Sequence, residues 1–390
     1  MRLLFYNQAP EISGAERSLL SIMGGAVKSG HDVVLSAPAG PLTDEAQRKS
    51  ITVVPADHLV LGFTRNPLVM LRYAMHALGR AWGLRKTIRN VRPDVIHANS
   101  IRAGLIAALA ITASPKRPGL IIHARDGPHA STLIWLVRWV LRWADSVIAI
   151  SNFVAQPFRG QVENLHVLHN AIEPADYRRN EEFGALMRSR IGLQGDSMVL
   201  ATVGQLTPWK GHIDALDAFG ILRFTHPQAH FVIAGSSKFM GAHRRFDTKL
   251  YEIQLRHRST APDLAGHVHM VGEIQCPTEL YSAADLLVVP SWEEPFGRVV
   301  IEAMAASCPV LATNAGGIPE IVTHGVDGWL VPPRDILALE DAMRTLLDDA
   351  PLRMSLIRGG LATVESRFSL VSYMPKLENI WLSSCRRRGE

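Results

Sequence analysis

Residues 290–305 read PSWEEPFGRVVIEAMA and carry the most informative pattern in this chain. Pro295 and Gly297 predict a turn after an apolar strand, and the apolar residues beyond them predict a helix. Glu294 lies just before that helix, and Glu302 lies about two turns later at about 3.6 residues per turn. A carboxylate accepts hydrogen bonds from vicinal hydroxyl groups, and the amides at a helix start bind anions. The stretch therefore indicates a ligand site, although a helix cap at Glu294 and a surface Glu302 would give the same pattern.

Short β-branched segments alternate with helix-length segments on both sides of this stretch. The predicted strands are residues 2–7, 32–37, 51–55, 94–98, 120–124, 146–150, 166–168, 198–203, 230–234, 267–271, 286–289, 310–312 and 329–331. Helices are predicted at 14–29, 67–91, 132–144 and 370–385. Alternation of this kind indicates parallel sheets, and it occurs twice. We expect two doubly wound α/β domains that bind ligands at the carboxyl ends of their strands.

The composition is that of an ordinary globular protein. The 390 residues are 47% hydrophobic and 20% charged, which excludes a disordered chain and suits about two domains. The longest uncharged stretch, 303–319, contains two prolines and two glycines, and residues 3–6 are too short for a secretory signal, so neither a membrane span nor a signal is expected. The three cysteines are far apart and lack a C-x-x-C pair, which favours a reducing compartment without disulfides or a zinc ribbon.

Positive charge is concentrated in the first half of the chain. Residues 1–179 hold 21 Lys and Arg against 12 Asp and Glu, whereas the remainder holds 20 against 24. A basic half favours an anionic partner, such as a phosphorylated substrate or a membrane surface, although a solvated basic face is equally compatible. Two segments are candidates for contact with a membrane. In residues 135–143 three tryptophans recur every four residues beside two arginines, as in an interfacial helix, although a core helix is the favoured interpretation. The basic region at 65–92 is the other candidate, for anionic lipid or a lipid-linked phosphate. Nucleic acid is not expected, because no zinc-finger spacing, RNA-binding aromatic motif or basic repeat is present.

Glu294 and Glu302 are separated by seven residues, and this pair resembles the E-x7-E motif of the retaining glycosyltransferases of family 4. Further segments resemble that family in chain order, and the resemblance covers nearly the whole sequence. They read SGAER at 13–17, LHNAIE at 168–173, VGQLTPWKG at 203–211 and ATNAGGIPE at 312–320.

This resemblance implies the GT-B fold, in which two Rossmann-like domains face each other across a cleft. It implies an acceptor-binding domain at residues 1–172, a linker at 173–197 and a nucleotide-sugar-binding domain at 198–367. Residues 368–390 are expected to form a helix that packs back toward the N-terminal domain. A cytoplasmic protein is expected, with peripheral contact to the inner face of a membrane through its basic N-terminal domain.

Three catalytic residues follow from the resemblance. Lys210 would face the donor diphosphate, Glu294 would contact the donor sugar, and His123 would point at the reacting sugar. His97 is the next candidate among the 16 histidines, since it also lies near the end of a predicted strand. A lone lysine is more often a solvated surface group and a lone histidine a core residue, so these roles depend on the motifs around them.

The resemblance also implies a set of binding residues. Glu302 would bind the ribose, and Gln205 stands where the family normally has an arginine, which removes one positive charge from the expected clamp. The donor-binding residues would be Gly14, Gly204, Gln205, Gly272, Glu273, Ile274, Phe296, Gly297, Arg298, Val299, Val300 and Glu302. Arg125 and Asp126 would touch the acceptor.

No metal and no cofactor are expected. The sequence contains no D-x-D motif, so the diphosphate of a UDP- or GDP-sugar would be neutralised by Lys210, the Gly14 amide and helix starts near Gly297 and Gly317. A retaining, metal-independent transfer of a hexose-type sugar to a hydroxyl group of a glycan or lipid-linked acceptor is therefore implied.

Two other functions stay open. A sugar-nucleotide epimerase also has two similar domains, and it would consume the donor without an acceptor. A non-catalytic nucleotide-sugar-binding protein is favoured by Gln205 and disfavoured by the intact Lys210, Glu294 and Glu302. A dinucleotide oxidoreductase is weaker still, because no G-x-G-x-x-G follows a predicted strand.

Overall fold

The computed structural model describes residues 1–59, 66–112, 117–126, 134–193, 197–237 and 247–386, without the side chains of 67, 134–136, 138 and 386. The chain forms two compact units. Unit 1 comprises Met1–Ala171 together with Leu370–Glu390, and unit 2 comprises Ile172–Ser369.

Unit 1 is built on a seven-stranded parallel sheet in the order β3-β2-β1-β4-β5-β6-β7. Its strands are β1 Arg2–Tyr6, β2 Asp32–Ala37, β3 Thr52–Pro55, β4 Val95–Ala98, β5 Gly119–Ala124, β6 Ser146–Ala149 and β7 Leu165–Val167. Its helices are α1 Gly14–Lys28, α2 Pro41–Arg48, α3 Pro67–Val91, α4 Ile101–Ile111, α5 Ile134–Trp143, α6 Asn152–Ala155 and α14 Leu370–Arg386.

Both faces of this sheet are covered by apolar packing. Helices α1 and α14 bury Leu19 and Trp381 against one face, and α3 and α4 bury Leu84 and Ile106 against the other. Strands that are buried on both faces read as continuous apolar runs, which is why β5 is buried along its whole length.

Unit 2 is built on a six-stranded parallel sheet in the order β10-β9-β8-β11-β12-β13. Its strands are β8 Met198–Val203, β9 Ala229–Ala234, β10 Val268–Gly272, β11 Leu286–Val289, β12 Val310–Thr313 and β13 Trp329–Val331. Its helices are α7 Glu181–Arg190, α8 His212–Leu222, α9 Thr248–Ser259, α10 Pro277–Ala283, α11 Arg298–Ala305, α12 Ile336–Asp348 and α13 Ala350–Thr363. The two doubly wound parallel sheets confirm the predicted fold class, and every predicted strand ends within one residue of an observed one.

Residues 173–197, expected to form a linker, contribute α7 to unit 2. A Cβ atom on Gly184 would lie 2.8 Å from the Ser282 carbonyl oxygen, so α7 and α10 approach through their backbones. Arg188 donates to the carbonyl oxygens of Ala283 and Ser197. Such contacts leave no apolar periodicity, and the segment therefore resembles a polar linker in sequence.

The prediction that a helix starts near Gly317 is wrong. The segment Ile318–Glu320 is a single 3-10 turn, and its chain then runs through Thr323 to a left-handed Gly325. A turn of this length has too few aligned peptide dipoles to act as the helix start that we expected there.

Candidate functional site

The strand order of unit 2 reverses between β8 and β11, because β9 and β10 follow β8 on one side and β11 to β13 lie on the other. In doubly wound sheets, ligands bind in the crevice outside the carboxyl ends of strands at such a point. Lys210 follows β8 and Glu294 follows β11, and the Lys210 Nζ lies 2.5 Å from the Glu294 Oε2. Two of the three residues predicted to be catalytic therefore meet at the switch point of this unit.

Three loops surround this ion pair and touch one another through backbone atoms. Gly211 has φ +68°, and a Cβ atom there would lie 2.0 Å from the Pro290 carbonyl oxygen. Gly316 has φ +59°, and a Cβ atom there would lie 2.1 Å from the Glu294 carbonyl oxygen. The Gly317 amide donates to that same oxygen at 2.8 Å. Only glycine permits these approaches, so the glycines of both flanking loops position the Glu294 carboxylate.

The ion pair is largely shielded from water. The side chain of Glu294 is 10% exposed and that of Lys210 is 23% exposed. The Ser291 hydroxyl group donates a second hydrogen bond to the Glu294 Oε2 at 3.3 Å. Low exposure strengthens the field of each charge, because the surrounding protein screens it less than water would.

Helix α11 begins at Arg298, four residues after Glu294, with Gly297 as its N-cap at φ +103°. The Val300 amide donates to the Gly297 carbonyl oxygen at 2.9 Å, which closes the first turn. The first amides of a helix have no intrahelical acceptor, and they present a partial positive charge. The residue that pairs with Lys210 thus lies on the segment that leads into this helix N-terminus, and a cation and free helix amides both suit a bound anion.

Glu302 is enclosed by partners within unit 2. Its Oε1 accepts from the Arg298 Nε at 2.6 Å and from the Tyr177 hydroxyl group at 3.1 Å, and its Oε2 accepts from the Tyr281 hydroxyl group at 2.9 Å. Its side chain is only 4% exposed. Burial lowers the pKa of Arg298, but the Glu302 charge and the Tyr177 contact outweigh it and raise that pKa. A ribose could reach this carboxylate only by displacing one of these partners, so the ribose-binding role of Glu302 stays a prediction.

The remaining donor-binding candidates are spread along the loops of unit 2. Gly204 and Gln205 follow β8, and the Gly204 amide donates to the Ala234 carbonyl oxygen at 3.0 Å. Gly272 ends β10 at φ +71°, Ile274 is half-buried, and Glu273 accepts from the Ser236 hydroxyl group at 3.3 Å. Their contacts with a donor stay predictions.

Two candidates of α11 and its preceding loop point into the core. The Phe296 ring is buried and packs edge-on against Phe368, with ring centroids 5.9 Å apart. Val300 is also buried, whereas Val299 is half-buried. Any contact of Phe296 with a ligand would therefore run through its backbone.

Gly14 begins α1 in unit 1, directly after the loop that leaves β1. Ser13 and Glu16 form a capping box, in which the Ser13 amide donates to the Glu16 Oε2 at 3.1 Å. A Cβ atom on Gly14 would meet nothing within 4 Å. The protein itself therefore does not require glycine here, and the open space agrees with close approach of a ligand.

His123 lies at the end of β5 in a buried chain of ring nitrogens. The Trp381 Nε1 donates to the His97 Nδ1 at 3.2 Å, and the His97 Nε2 lies 3.0 Å from the His123 Nδ1. Because the indole can only donate, His97 carries its proton on Nε2 and donates to His123, which then carries its own proton on Nε2. That Nε2 is buried without a hydrogen-bond partner in the described part of the chain. These hydrogen bonds fix the Nε2 of His123 as a donor, while its contact with a sugar stays a prediction.

Acid is expected to destabilise unit 1 through His97. Burial and the Arg125 charge lower the pKa of His97 from 6.5 to about 3, and burial lowers the pKa of His123 well below its usual value. The unfolded chain therefore binds these protons first, and stability is lost as the pH falls from about 6.5 toward about 3, by up to about 1.4 kcal/mol per pH unit and histidine. We expect His97→Gln to reduce the pH dependence of urea unfolding in this window. His257→Gln, at an exposed position of α9, should leave it unchanged, and an unaltered slope in His97→Gln would contradict the assignment.

Arg125 is buried and holds three loops of unit 1 together. Its Nε and Nη2 donate to the Asn99 Oδ1 at 3.1 and 2.9 Å, and its Nη1 donates to the Asn170 Oδ1 at 2.6 Å. Asp126, the next residue, is exposed. Acceptor contact of either residue stays a prediction, and for Arg125 it would require the guanidinium to leave a buried network.

Sequence reasoning missed the residues that enclose the two glutamates. Tyr177 and Tyr281 lie 125 and 21 residues from Glu302, and nothing in the sequence connects them. Arg298 was assigned to donor binding, although its i,i+4 spacing to Glu302 was a signal for an ion pair within one helix. Within the described ranges, no group of three or more His, Cys, Asp or Glu side chains could hold a metal ion.

Two family models match the chain. The model for glycosyl transferases group 1 matches residues 185–362, and the model for Glycosyltransferase Family 4 matches residues 12–176. The two matches are separated by residues 177–184 and together span most of the sequence.

Individual proteins are similar over most of the chain. A glycogen synthase of Mycobacterium tuberculosis is 31% identical over 97% of this chain and 92% of its own. A D-inositol 3-phosphate glycosyltransferase of Thermobispora bispora is 27% identical over 76% of this chain and 72% of its own. The crystal structure of Anabaena HepE in complex with UDP-glucose is similar at a TM-score of 0.83 and 25% identity, over 98% of this chain and 100% of HepE.

Proposed function

Because the chain belongs to the family-4-like glycosyltransferases with the GT-B fold, we propose that it transfers a hexose-type sugar from a UDP-sugar to a hydroxyl group. The acceptor is a glycan or a lipid-linked molecule. The observation that carries this proposal is the ion pair of Lys210 and Glu294 beside the first turn of α11. Similarity to HepE, whose structure contains UDP-glucose, supports uracil as the base of the donor nucleotide.

Lys210 would bind the diphosphate, and its ammonium group would then exchange part of its contact with Glu294 for phosphate oxygens. The released carboxylate can accept from sugar hydroxyl groups, while the start of α11 faces the negative charge that builds up on the leaving phosphate. Such an exchange places the strongest interactions where charge develops in the transition state, which is the condition for catalysis.

The reaction we propose retains the anomeric configuration. The bond between the anomeric carbon and the β-phosphate oxygen breaks, and its electron pair stays on the phosphate. The acceptor oxygen bonds to the same face of that carbon, and its proton passes to the leaving phosphate oxygen. Glu294 forms no covalent bond to the sugar in this scheme. Lys210 and the start of α11 neutralise the diphosphate, so the proposed transfer needs no metal.

Slow hydrolysis of UDP-glucose tests this function without a known acceptor, since water replaces the acceptor hydroxyl group. In the presence of EDTA, we expect the purified chain to release UDP together with α-glucose as the first sugar product. Proton NMR monitors the reaction and distinguishes the two anomers of glucose. Release of β-glucose would overturn retention, and activity that EDTA abolishes and magnesium restores would overturn metal independence. Epimerisation of the donor would identify an epimerase, and UDP binding without turnover would identify a non-catalytic binding protein.

A further inference from the structure

Helix α3 of unit 1 carries an apolar stripe that no part of the described chain covers. The stripe consists of Leu68, Leu71, Met75, Leu78 and Trp82, whose exposed fractions range from 58% to 76%. At about 3.6 residues per turn, the spacing of three and four residues places all five within about 80° of arc. They form one continuous surface about 20 Å long at about 1.5 Å per residue.

The opposite side of α3 already packs against its own unit. Ala77, Ala81, Leu84 and Ile88 are buried in the core that covers this face of the sheet. The helix therefore cannot turn its stripe inward without exposing that core. Exposed apolar surface of this extent, held on a rigid element, indicates an interaction site.

The charges around the stripe have one sign. The sequence of α3 contains five basic residues and no acidic residue. Arg72 lies beside the stripe, and Lys86 and Arg89 continue it toward the end of the helix, all three exposed. Arg80 points away and pairs with Asp57. Arg65, part of the basic region predicted from the sequence, lies outside the described residues.

We propose that the exposed face of α3 binds the surface of an anionic lipid bilayer. The five apolar side chains of the stripe enter the boundary between headgroups and acyl chains, and Arg72, Lys86 and Arg89 contact lipid phosphates. Tryptophan favours this interface, because its ring is apolar at one edge and donates a hydrogen bond at the other. Contact of this kind lies along the membrane, and no helix in the described part of the chain is long and apolar enough to cross one.

Charge favours a bilayer over a second copy of the chain as the occupant. Two copies that paired their stripes would bring Arg72, Lys86 and Arg89 of each near the same residues of the other, with no acidic residue in either helix. The half of the chain that holds α3 carries nine more basic than acidic residues up to residue 179. Repulsion between like charges opposes such a pair, whereas an anionic surface attracts every one of these groups.

Vesicle flotation of the full chain tests the proposal. We expect the protein to float with vesicles of phosphatidylcholine mixed with phosphatidylglycerol and to bind phosphatidylcholine alone much more weakly. Lys86→Gln/Arg89→Gln should weaken binding about thirtyfold, because each basic residue near an anionic surface contributes about fivefold. Leu71→Gln/Leu78→Gln should weaken it about a hundredfold through lost apolar burial, and glutamine keeps the helix propensity.

Matched variants separate this surface from general charge and apolarity. Lys249→Gln/Lys376→Gln removes the same net charge at exposed positions outside α3, and Phe224→Gln/Ile253→Gln removes exposed apolar side chains from unit 2. Both controls should float like the parent chain. Circular dichroism should show all variants folded, because every substituted side chain is exposed.

Three results would overturn the proposal. These are absence of flotation by the folded parent chain, flotation that the α3 variants leave unchanged, and a parent dimer that the α3 variants convert to a monomer without any vesicle binding. Flotation does not depend on transfer activity, so its failure is distinguishable from failure of the proposed function.

Discussion

Lys210→Met is expected to lower kcat for donor turnover by about a hundredfold to a thousandfold, the usual effect of removing one group that stabilises charge in the transition state. Lys210 is the cation that the structure holds at the switch point of unit 2, beside the start of α11. Gln205 cannot replace it, because an amide carries no charge. Steady-state rates at saturating UDP-sugar give the effect, with UDP affinity from calorimetry measured in parallel.

A second variant separates this effect from loss of structure. Lys210→Met leaves the Glu294 carboxylate nearly buried without its cation, which is itself destabilising. Lys210→Met/Glu294→Gln removes both charges, and we expect it to recover much of the lost Tm and none of the lost kcat. If the double variant regained activity together with stability, the pair would be a structural ion pair and the proposed clamp would be wrong.

Glu302→Leu is expected to lower the free energy of unfolding of unit 2 by about 3–5 kcal/mol, since it strands a buried cation. The cation is Arg298, whose side chain is 10% exposed and whose ion pair partner is Glu302. The hydroxyl groups of Tyr177 and Tyr281 lose their acceptor in the same variant. Urea unfolding measures the total loss, and hydrogen exchange of peptides from α11 locates it in unit 2, because two units need not unfold together.

Two comparisons control this experiment. Arg298→Met/Glu302→Leu replaces the whole pair by apolar side chains and should recover much of the stability, whereas Asp341→Ala removes the exposed contact with Arg344 and should cost at most about 1 kcal/mol. If Glu302→Leu kept its stability and lost affinity for UDP, the carboxylate would serve the ribose instead, as the family resemblance implies.

Strands and helices could be read from local pattern in this chain. Continuous apolar runs such as Met198–Val203 suit strands covered on both faces, and α3 was predicted at Pro67–Val91 with the bounds that the structure has. The failures occurred where packing was not local. The segment that contains α7 was expected to be a linker, and its place in unit 2 depends on the backbone approach at Gly184.

Glu294 and Glu302 show more clearly which properties of the site could not be predicted from the sequence. Their spacing and the family resemblance could be recognised without coordinates, and so could the importance of Lys210. Nothing in the spacing indicated that Glu294 pairs with a lysine 84 residues away or that Glu302 is closed off by tyrosines. Two carboxylates in one helix-start motif thus occupy different environments, one beside the crevice of the sheet and one inside the core.

The sequence alone determined that this chain forms two doubly wound α/β units, which residues build their strands, and which family it resembles. These properties follow from local periodicity and short motifs, both of which survive in a linear string. Only the tertiary structure decided which charges meet, which ring nitrogen of His123 carries the proton, and which face of α3 is left exposed. These three properties depend on residues that are far apart along the chain and adjacent in space. Burial and electrostatic interaction depend on the distance between groups in the folded protein and not on their order in the sequence.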